Sequence, residues 1–332
     1  MRKSGNRKSR HPRVGAGVAD PGFRLRLYHD PGFAAPIGDH VMPMRKFALV
    51  AEELRRKPGF EICSPPAISE SDLLRVHTPE YVSAVKTGLP RDLAESQKFP
   101  WSRALFASVL LTSGGVLAAA RSALGEGVSG ALASGFHHAF ADHGEGFCTF
   151  NGLIIALEAL RNEGRIQSAA ILDLDLHYGN GTASLVASRP WIKALSIYGN
   201  DYANNTPYRD VSVRRHIDGK NHISAPISPS VNDGEQLQNL LDQYLPWLLD
   251  GSRPDLLLFQ AGADPLRDDP YSPLDLNHRD LFLRDRKVFA FAKDNALPAA
   301  WVLAGGYAPD LQKVVDAHLN TAMASLKTYS FS

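Results

Sequence analysis

Cysteine is scarce in this sequence of 332 residues, which contains only Cys63 and Cys148. Two cysteines cannot build a disulfide framework, and they suit a reducing compartment, so we expect a cytoplasmic protein with both thiols packed in the core. Long apolar runs are lacking too: none approaches the roughly 20 residues that a membrane-spanning helix needs, so we expect no membrane partner.

Net charge is nearly absent, at a formal +1, but its distribution is uneven. Residues 1–20 carry six Lys or Arg and one Asp, which gives +5 and leaves 30 minus 34, or −4, for the remainder. No apolar segment follows, as a secretory signal would require. An anchor for nucleic acid is the alternative, but no aromatic residues alternate with the basic ones. We therefore expect a flexible basic leader over residues 1–22, one domain over 23–332, and no nucleic-acid partner.

Short apolar runs alternate with helical patterns along the rest of the chain. The predicted strands include residues 24–28, 128–134, 169–173, 194–198, 255–259 and 298–303. The predicted helices include residues 45–56, 104–124, 152–162, 235–249, 279–295 and 309–326. Two polar stretches, 89–101 and 199–218, are interpreted as loops. The alternation predicts a single-domain α/β fold, a doubly wound parallel sheet with helices on both faces.

The segment 169–182 carries the densest chemistry of the chain. An apolar run enters Asp173, Asp175 and His177 at alternate positions and then breaks at two glycines. The two-residue period of a strand puts these three side chains on one side of the backbone. Carboxylate and imidazole groups form part of a shell for a divalent metal. The alternative is a strand-end turn whose aspartates cap the next helix.

Polar residues also follow three other predicted strands. They are His137-His138, Asp264, and Gly305-Gly306-Tyr307. Open parallel sheets bind ligands at the carboxyl ends of their strands. The sequence therefore predicts one site at that edge of the sheet, and the capping alternative loses weight.

Asp175, His177 and Asp264 would provide three protein ligands and leave a fourth position open, the layout of a catalytic zinc site. A metal held in this way polarises a carbonyl and lowers the pKa of bound water, and hydrolysis of an amide needs both effects. Iron(II) is compatible with the same ligands.

The histidine pair would supply a proton acceptor for water and a donor for the leaving amine. Adjacent histidines in a regular strand point to opposite sides, so a turn must present His137 and His138 together. Asp173 and Asn180 are candidates to orient them. The alternative is an ordinary polar turn with one histidine exposed.

Two aromatic residues complete the predicted site. Tyr307, after two glycines, would stabilise an oxyanion. Phe147, beside Gly146, would form a wall for an apolar linker, although core packing is the alternative for any single Phe.

The chain resembles the zinc-dependent histone deacetylases of the arginase/deacetylase fold, in register from about residue 28 to 308. The resemblance is carried by residues 136–139, 146–151, 173–182, 260–266 and 305–307. Residues 40–44, 77–81 and 99–102 are most similar to the class IV, or bacterial histone deacetylase-like, branch. The resemblance to this family implies a deacetylase-like catalytic domain over residues 23–332.

The resemblance also implies roles for individual residues. Zinc would be bound by Asp175, His177 and Asp264. His138 would be the main general base and acid, with His137 as its partner through Asp173, and Asn180 would orient His138. Tyr307 would bind the substrate carbonyl, and Gly146 and Phe147 would line an acyl-lysine tunnel. A structural potassium ion would be surrounded by Asp173, Asp175, His177, Ser196 and Ile197.

The chain departs from the usual family pattern at Ala304 and at residues 133–136, which lack the proline-rich lead-in of class I, whereas Asn180 matches class II and class IV members. Asn180 stands where class I members have Asp, which would raise the pKa of His138 less strongly. Ala304 stands where family members commonly have Gly, which would restrict the loop that carries Tyr307.

These patterns favour a zinc-dependent amide hydrolase that removes an acetyl or longer acyl group from a lysine side chain of a protein or peptide. A close rival acts on acetylated polyamines or other small acylated amines, because Asp92 and Glu95 lie in the predicted loop 89–98. A catalytically inactive acyl-lysine binding module is disfavoured because none of the expected catalytic residues is lost. Arginase chemistry would need a second metal motif, which the sequence lacks. The oligomeric state stays open.

Overall fold

The computed structural model describes residues 22–330. All of the predicted leader except Gly22 lies outside that range. The described residues contain an eight-stranded sheet in the order β2-β1-β3-β10-β9-β4-β5-β8, and every strand pair in it is parallel. The strands are β1 (Leu25–Tyr28), β2 (Phe60–Cys63), β3 (Val128–Ser134), β4 (Ala169–Asp173), β5 (Ile192–Tyr198), β8 (His222–Pro226), β9 (Leu256–Ala261) and β10 (Ala299–Leu303). A separate antiparallel hairpin consists of β6 (Asp201–Ala203) and β7 (Thr206–Tyr208).

Ten α-helices are present in the described residues, and they cover both faces of the sheet. They are α1 (Arg45–Arg55), α2 (Glu70–Leu73), α3 (Pro79–Thr87), α4 (Arg91–Ala94), α5 (Arg103–Glu126), α6 (Gly152–Asn162), α7 (Asn180–Val186), α8 (Asp233–Tyr244), α9 (His278–Asp294) and α10 (Leu311–Tyr329). Helix α5 packs on α6, whereas α10 packs on α1 and α9. The predicted α/β fold, a doubly wound parallel sheet, is confirmed.

The central strands β3, β4, β9 and β10 are buried along their whole length. Strands covered by helices on both faces need continuous apolar sequence, which is why these segments do not alternate. Helix α5 lies close to the neighbouring backbone, since a Cβ at Gly114 would overlap with the backbone oxygen of Pro66.

Two expectations about the outer segments were wrong, and two edge strands were not predicted. The stretch 89–101 is not a plain surface loop, because it contains α4 and buries Gln97 and Phe99. The polar stretch 199–218 contains the β6–β7 hairpin. Strands β2 and β8 escaped prediction because they are short edge strands with mixed exposure, which leaves little apolar pattern.

Helix α5 is longer and more apolar than the sequence analysis expected of any segment in the chain. By length and composition alone it could cross a membrane, and 67% of its most apolar window is buried inside the protein. It packs on β1, β3 and β10, so it has the surroundings of a core helix.

Candidate active site

Polar side chains from the four central strands meet at the carboxyl edge of the sheet. Strands β3, β10, β9 and β4 are consecutive neighbours, and each ends just before one of the predicted polar motifs. The crossovers leave this edge in opposite directions on either side of the centre, which opens a crevice there. The predicted convergence of the four motifs on one edge is therefore present in the structure.

Asp175, His177 and Asp264 form a buried group that could hold a metal ion. One ligand atom from each residue lies within 4.8 Å of the others. His177 Nδ1 is 3.3 Å from Asp175 Oδ1 and 3.1 Å from Asp264 Oδ2. Backbone N–H groups hold the carboxylates from outside: Gly305 donates to Asp175 Oδ2 at 2.8 Å, and Leu176 donates to Asp264 Oδ1 at 3.1 Å.

The electrostatics of this group suit a cation. Burial and the negative charge of Asp175 raise the pKa of Asp264 to about 7. Burial alone would lower the pKa of His177, but hydrogen bonds to the two carboxylates outweigh it and raise that pKa to about 10. Two buried carboxylates thus compete for one positive partner. A divalent metal with oxygen and imidazole ligands fits this donor set.

The predicted potassium ligands lie at the ends of the neighbouring strands β4 and β5 and in the turn after β4. In the pairing of β4 with β5, Asp173 is opposite Ser196. Ser196 Oγ is buried and has no hydrogen-bond partner within residues 22–330. A buried hydroxyl without a partner is costly, so an oxygen-seeking cation fits this position.

The turn after β3 brings the rings of the histidine pair together. Phe136 has a positive φ of 61°, which breaks the strand alternation, and the ring centroids of His137 and His138 lie 3.9 Å apart. His137 Nδ1 is 2.7 Å from Asp173 Oδ2, and His138 Nδ1 is 2.7 Å from Asn180 Oδ1. Both predicted orienting contacts are present.

The two histidines differ in their tendency to bind a proton. Burial lowers the pKa of His137, but the charges of Asp173 and Asp175 outweigh burial and raise it. Burial and the neighbouring His137 and His177 hold the pKa of His138 well below its ordinary value. His137 therefore binds a proton more readily than His138 does.

Tyr307 lies on the turn after β10, which is held by Asp269 and Lys46. Its backbone N–H donates to Asp269 Oδ2 at 2.7 Å. The fully buried Lys46 donates to Ala304 O at 2.7 Å and to Gly306 O at 3.3 Å. Its ammonium is also 5.4 Å from the Tyr307 ring. Burial lowers the pKa of Lys46 to about 8.

A cavity of about 110 Å³ leads from the surface to these groups. It is lined by His138, Gly146, Phe147, His177, Tyr202, Asn205, Pro207, Tyr271 and Tyr307. Tyr202, on the β6–β7 hairpin, stacks on His138 at 3.9 Å between ring centroids. A Cβ at Gly146 would overlap with the His138 ring, so glycine is required there.

Sequence reasoning missed several residues of the site. They are Lys46, Asp269, Arg284, Tyr202 and Tyr271. Arg284 Nη1 donates to the backbone oxygens of Leu174 and Gly262, and so braces the two segments that carry the metal-ligand group. A charged residue within an amphipathic helix such as α9 gives no sequence signal that it is buried.

The acidic residues that supported a polyamine substrate lie elsewhere. Glu95 accepts hydrogen bonds from the Trp101 backbone N–H at 2.7 Å and from Arg91 at 3.4 Å. Neither Asp92 nor Glu95 belongs to the described residues that line the cavity. The loop therefore does not place carboxylates at the cavity walls.

Comparison with known proteins agrees with this geometry. The histone deacetylase domain family matches residues 40–322, and the chain belongs to that family. Its relatives include named deacetylases and a deacetylase-like amidohydrolase, so the protein is a deacetylase-type hydrolase.

Three relatives and one solved structure illustrate the similarity. An uncharacterized protein of Picosynechococcus sp. is 31% identical over 298 residues, covering 88% of this chain and 95% of that protein. Histone deacetylase 2 of Arabidopsis thaliana is 29% identical (76% and 65% covered), and the histone deacetylase-like amidohydrolase of Pseudomonas aeruginosa is 26% identical (82% and 75%). The crystal structure of the HDA15 HD domain matches with a TM-score of 0.75 at 20% identity, covering 92% of this chain and 90% of that one, which supports the fold.

Proposed function

We propose that this protein is a zinc-dependent deacylase that removes an acyl group, preferentially acetyl, from the lysine side chains of proteins or peptides. The observation that carries this proposal is the cavity of about 110 Å³ that reaches His177, a member of the buried group formed with Asp175 and Asp264. Its aromatic walls, Phe147, Tyr202 and Tyr271, suit an unbranched aliphatic linker, and His138 and Tyr307 lie at its inner end.

The inner end of the cavity favours a short acyl group. A further space of about 20 Å³, which also borders Asp175 and His177, is lined by residues that include Met42, Ser134 and Phe136. About 10–15 Å³ on this measure holds one water molecule, so the space suits a methyl group better than a long chain.

His138 is the proposed general base and then the general acid. In its neutral form it accepts a proton from the attacking water, and it later donates that proton to the leaving amine. His137, whose pKa is raised, keeps its positive charge through Asp173 and stabilises negative charge that develops in the transition state.

Tyr307 is the proposed hydrogen-bond donor to the oxyanion. Burial and the charges of Asp264 and Asp175 keep the pKa of its hydroxyl well above the ordinary value, so it stays protonated and can donate. Asp269 and Lys46 hold its backbone in place.

Asp175, His177 and Asp264 would hold the zinc ion. The metal would polarise the substrate carbonyl and lower the pKa of water, while iron(II) is an alternative metal for these ligands. We further propose a potassium ion near Ser196 Oγ, with Asp173, Asp175, His177 and Ile197 supplying the other oxygens.

The direct test is turnover on acetyl-, butyryl- and myristoyl-lysine peptides beside acetylated polyamines, with metal-stripped and zinc-reconstituted protein. We expect zinc-dependent cleavage, fastest with acetyl-lysine. Preferential cleavage of polyamines would move the assignment to small acylated amines. Binding of acyl-lysine without cleavage, with zinc bound, would favour the binding-module alternative.

Tyr307→Phe should lower kcat by about two orders of magnitude or more, as loss of an oxyanion donor does. Its zinc content should stay near normal. Tyr329→Phe is the matched control, because the Tyr329 hydroxyl lies in α10 and has no hydrogen-bond partner in the described part of the chain. A Tyr307→Phe protein with full activity would refute the assigned role.

A further inference from the structure

Glu145 is a buried carboxylate that the mechanism above leaves unused. It is 5% exposed and begins the turn that presents Gly146 and Phe147 to the cavity. The side-chain N–H₂ of Asn180 donates to Glu145 Oε2 at 2.8 Å. The other end of that amide, Oδ1, is 2.7 Å from His138 Nδ1. Glu145 is thus joined to the proposed base through one intervening residue.

The partners of Asn180 fix the orientation of its amide. The backbone N–H of Gly181, which can only donate, points at Asn180 Oδ1 at 2.9 Å. An ionised carboxylate, which can only accept, lies at the Nδ2 end. The oxygen therefore faces His138, and His138 Nδ1 must carry the hydrogen of that contact. Nε2 of His138 is then the nitrogen with the free lone pair.

Glu145 is held in its ionised form. Burial raises the pKa of a carboxyl group, but hydrogen bonds from His143, Asn180 and the backbone N–H of Asn205 outweigh it and lower the pKa of Glu145. Glu145, His143 and Asn180 also border a second cavity of about 450 Å³. An ionised carboxylate is a stronger acceptor than a neutral group, so it holds the amide firmly.

We propose that Glu145 is a positioning residue that acts through Asn180 to keep the hydrogen of His138 on Nδ1. Without this acceptor, only the Gly181 N–H still opposes a 180° rotation of the amide, which would turn its N–H₂ group towards His138. That rotation favours the tautomer with hydrogen on Nε2, which cannot accept a proton from water. The inference rests on the proposed function in that it takes His138 as the base.

The test compares two substitutions at Glu145 with a neighbouring control. Glu145→Leu removes the acceptor, and we expect kcat to fall about 10- to 100-fold with KM nearly unchanged, as for other residues that orient a catalytic group. Glu145→Gln keeps an acceptor oxygen and should retain most of the activity. Asp142→Asn is the control, because Asp142 contacts His143 but not Asn180, and we expect wild-type kcat.

An exchange of the two functional groups sharpens the test. Asn180→Asp alone places two carboxylates where the amide and Glu145 are now 2.8 Å apart, so it should lose activity. In the Glu145→Gln/Asn180→Asp double variant, the new amide donates to the new carboxylate, which accepts from His138 Nδ1. We expect this pair to recover kcat to near the level of Glu145→Gln.

¹⁵N NMR of histidine-labelled, zinc-loaded protein reads the tautomer directly, with the His138 signals assigned by their loss in His138→Ala. We expect hydrogen on Nδ1 in the wild type and in the double variant, and a shift towards Nε2 in Glu145→Leu. An unchanged tautomer and kcat in Glu145→Leu, or a double variant no better than Asn180→Asp, would overturn the proposal. The NMR experiment measures the tautomer without turnover. A wild type without activity would therefore reject the proposed function, while the role of Glu145 in setting the tautomer could still be tested. If Glu145→Leu does not fold, the comparison of Asn180→Asp with the Glu145→Gln/Asn180→Asp double variant still tests the proposal.

Discussion

His77 is neutral in the folded protein because both of its ring nitrogens are already engaged. Nδ1 donates to the backbone oxygen of Phe140 at 2.8 Å, and Nε2 accepts from the backbone N–H of Asn151 at 3.0 Å. Asn151 is also the N-cap of α6. His77 therefore holds both ends of the segment 140–151, which carries Phe147, and a proton on Nε2 would remove one of these two hydrogen bonds.

The size of the expected change in stability follows from the pKa of His77. Burial lowers the pKa of His77 from 6.5 to about 4. Because the folded pKa is the lower one, the unfolded chain binds more protons between these values. The contribution of His77 to stability is complete above pH 6.5 and is lost as the pH falls towards 4. Between pH 7 and pH 4.5 the loss is about 2.5 kcal/mol.

The assay is urea unfolding of the wild type and of His77→Gln at pH 7 and at pH 4.5. The variant should be less stable at pH 7, and the difference in unfolding free energy should shrink by about 2–3 kcal/mol at pH 4.5. His29 and His222, whose pKa values are also lowered to about 4, occur in both proteins and cancel in the difference. A difference that is equal at the two pH values would refute the reasoning.

A control of opposite sign is available in His143. A hydrogen bond to Glu145 raises the pKa of His143, so its contribution is present at low pH and is lost as the pH rises. The difference between the wild type and His143→Gln should therefore grow on acidification.

Three further predictions concern the site. Dialysis against a strong chelator should abolish turnover and lower Tm, and added zinc should restore both, because a ligand bound to the folded state stabilises it. Gly305→Ala should reduce the zinc content measured by mass spectrometry, because its Cβ would overlap with Asp264 and approach Asp175; a normal zinc content would contradict this. Lys46→Met should lower kcat about 10-fold or more, because the turn that carries Tyr307 loses two hydrogen bonds. Its Tm should fall little, because the substitution also removes a buried charge. A Lys46→Met protein with wild-type kcat would contradict this prediction.

The departure at Ala304 has less effect than the sequence suggested. Ala304 is buried directly after β10 and is not among the described residues with positive φ, so alanine fits there. The glycines that the turn needs are the next two: Gly305 lies against the metal-ligand carboxylates, and Gly306 has φ of 145°. The sequence shows a missing glycine, but only the backbone conformation shows whether it was needed.

Asn180 gives a second example. From the sequence, an amide in place of a carboxylate predicts weaker support for His138. The structure places the carboxylate of Glu145 against the far end of that amide. The two residues are 35 positions apart, and no local pattern connects them.

The sequence alone was enough to predict the central strands, the edge of the sheet where the site lies and the donor groups that meet there. Apolar runs mark buried parallel strands, and their ends must share one edge, so Asp175, His177 and Asp264 could be grouped without coordinates. Tertiary structure alone decided which distant residues support that site. Lys46 contacts Ala304 across 258 positions, and Arg284 contacts Leu174 across 110. Local periodicity reports which face of an element is buried, whereas such contacts depend on how separate elements pack.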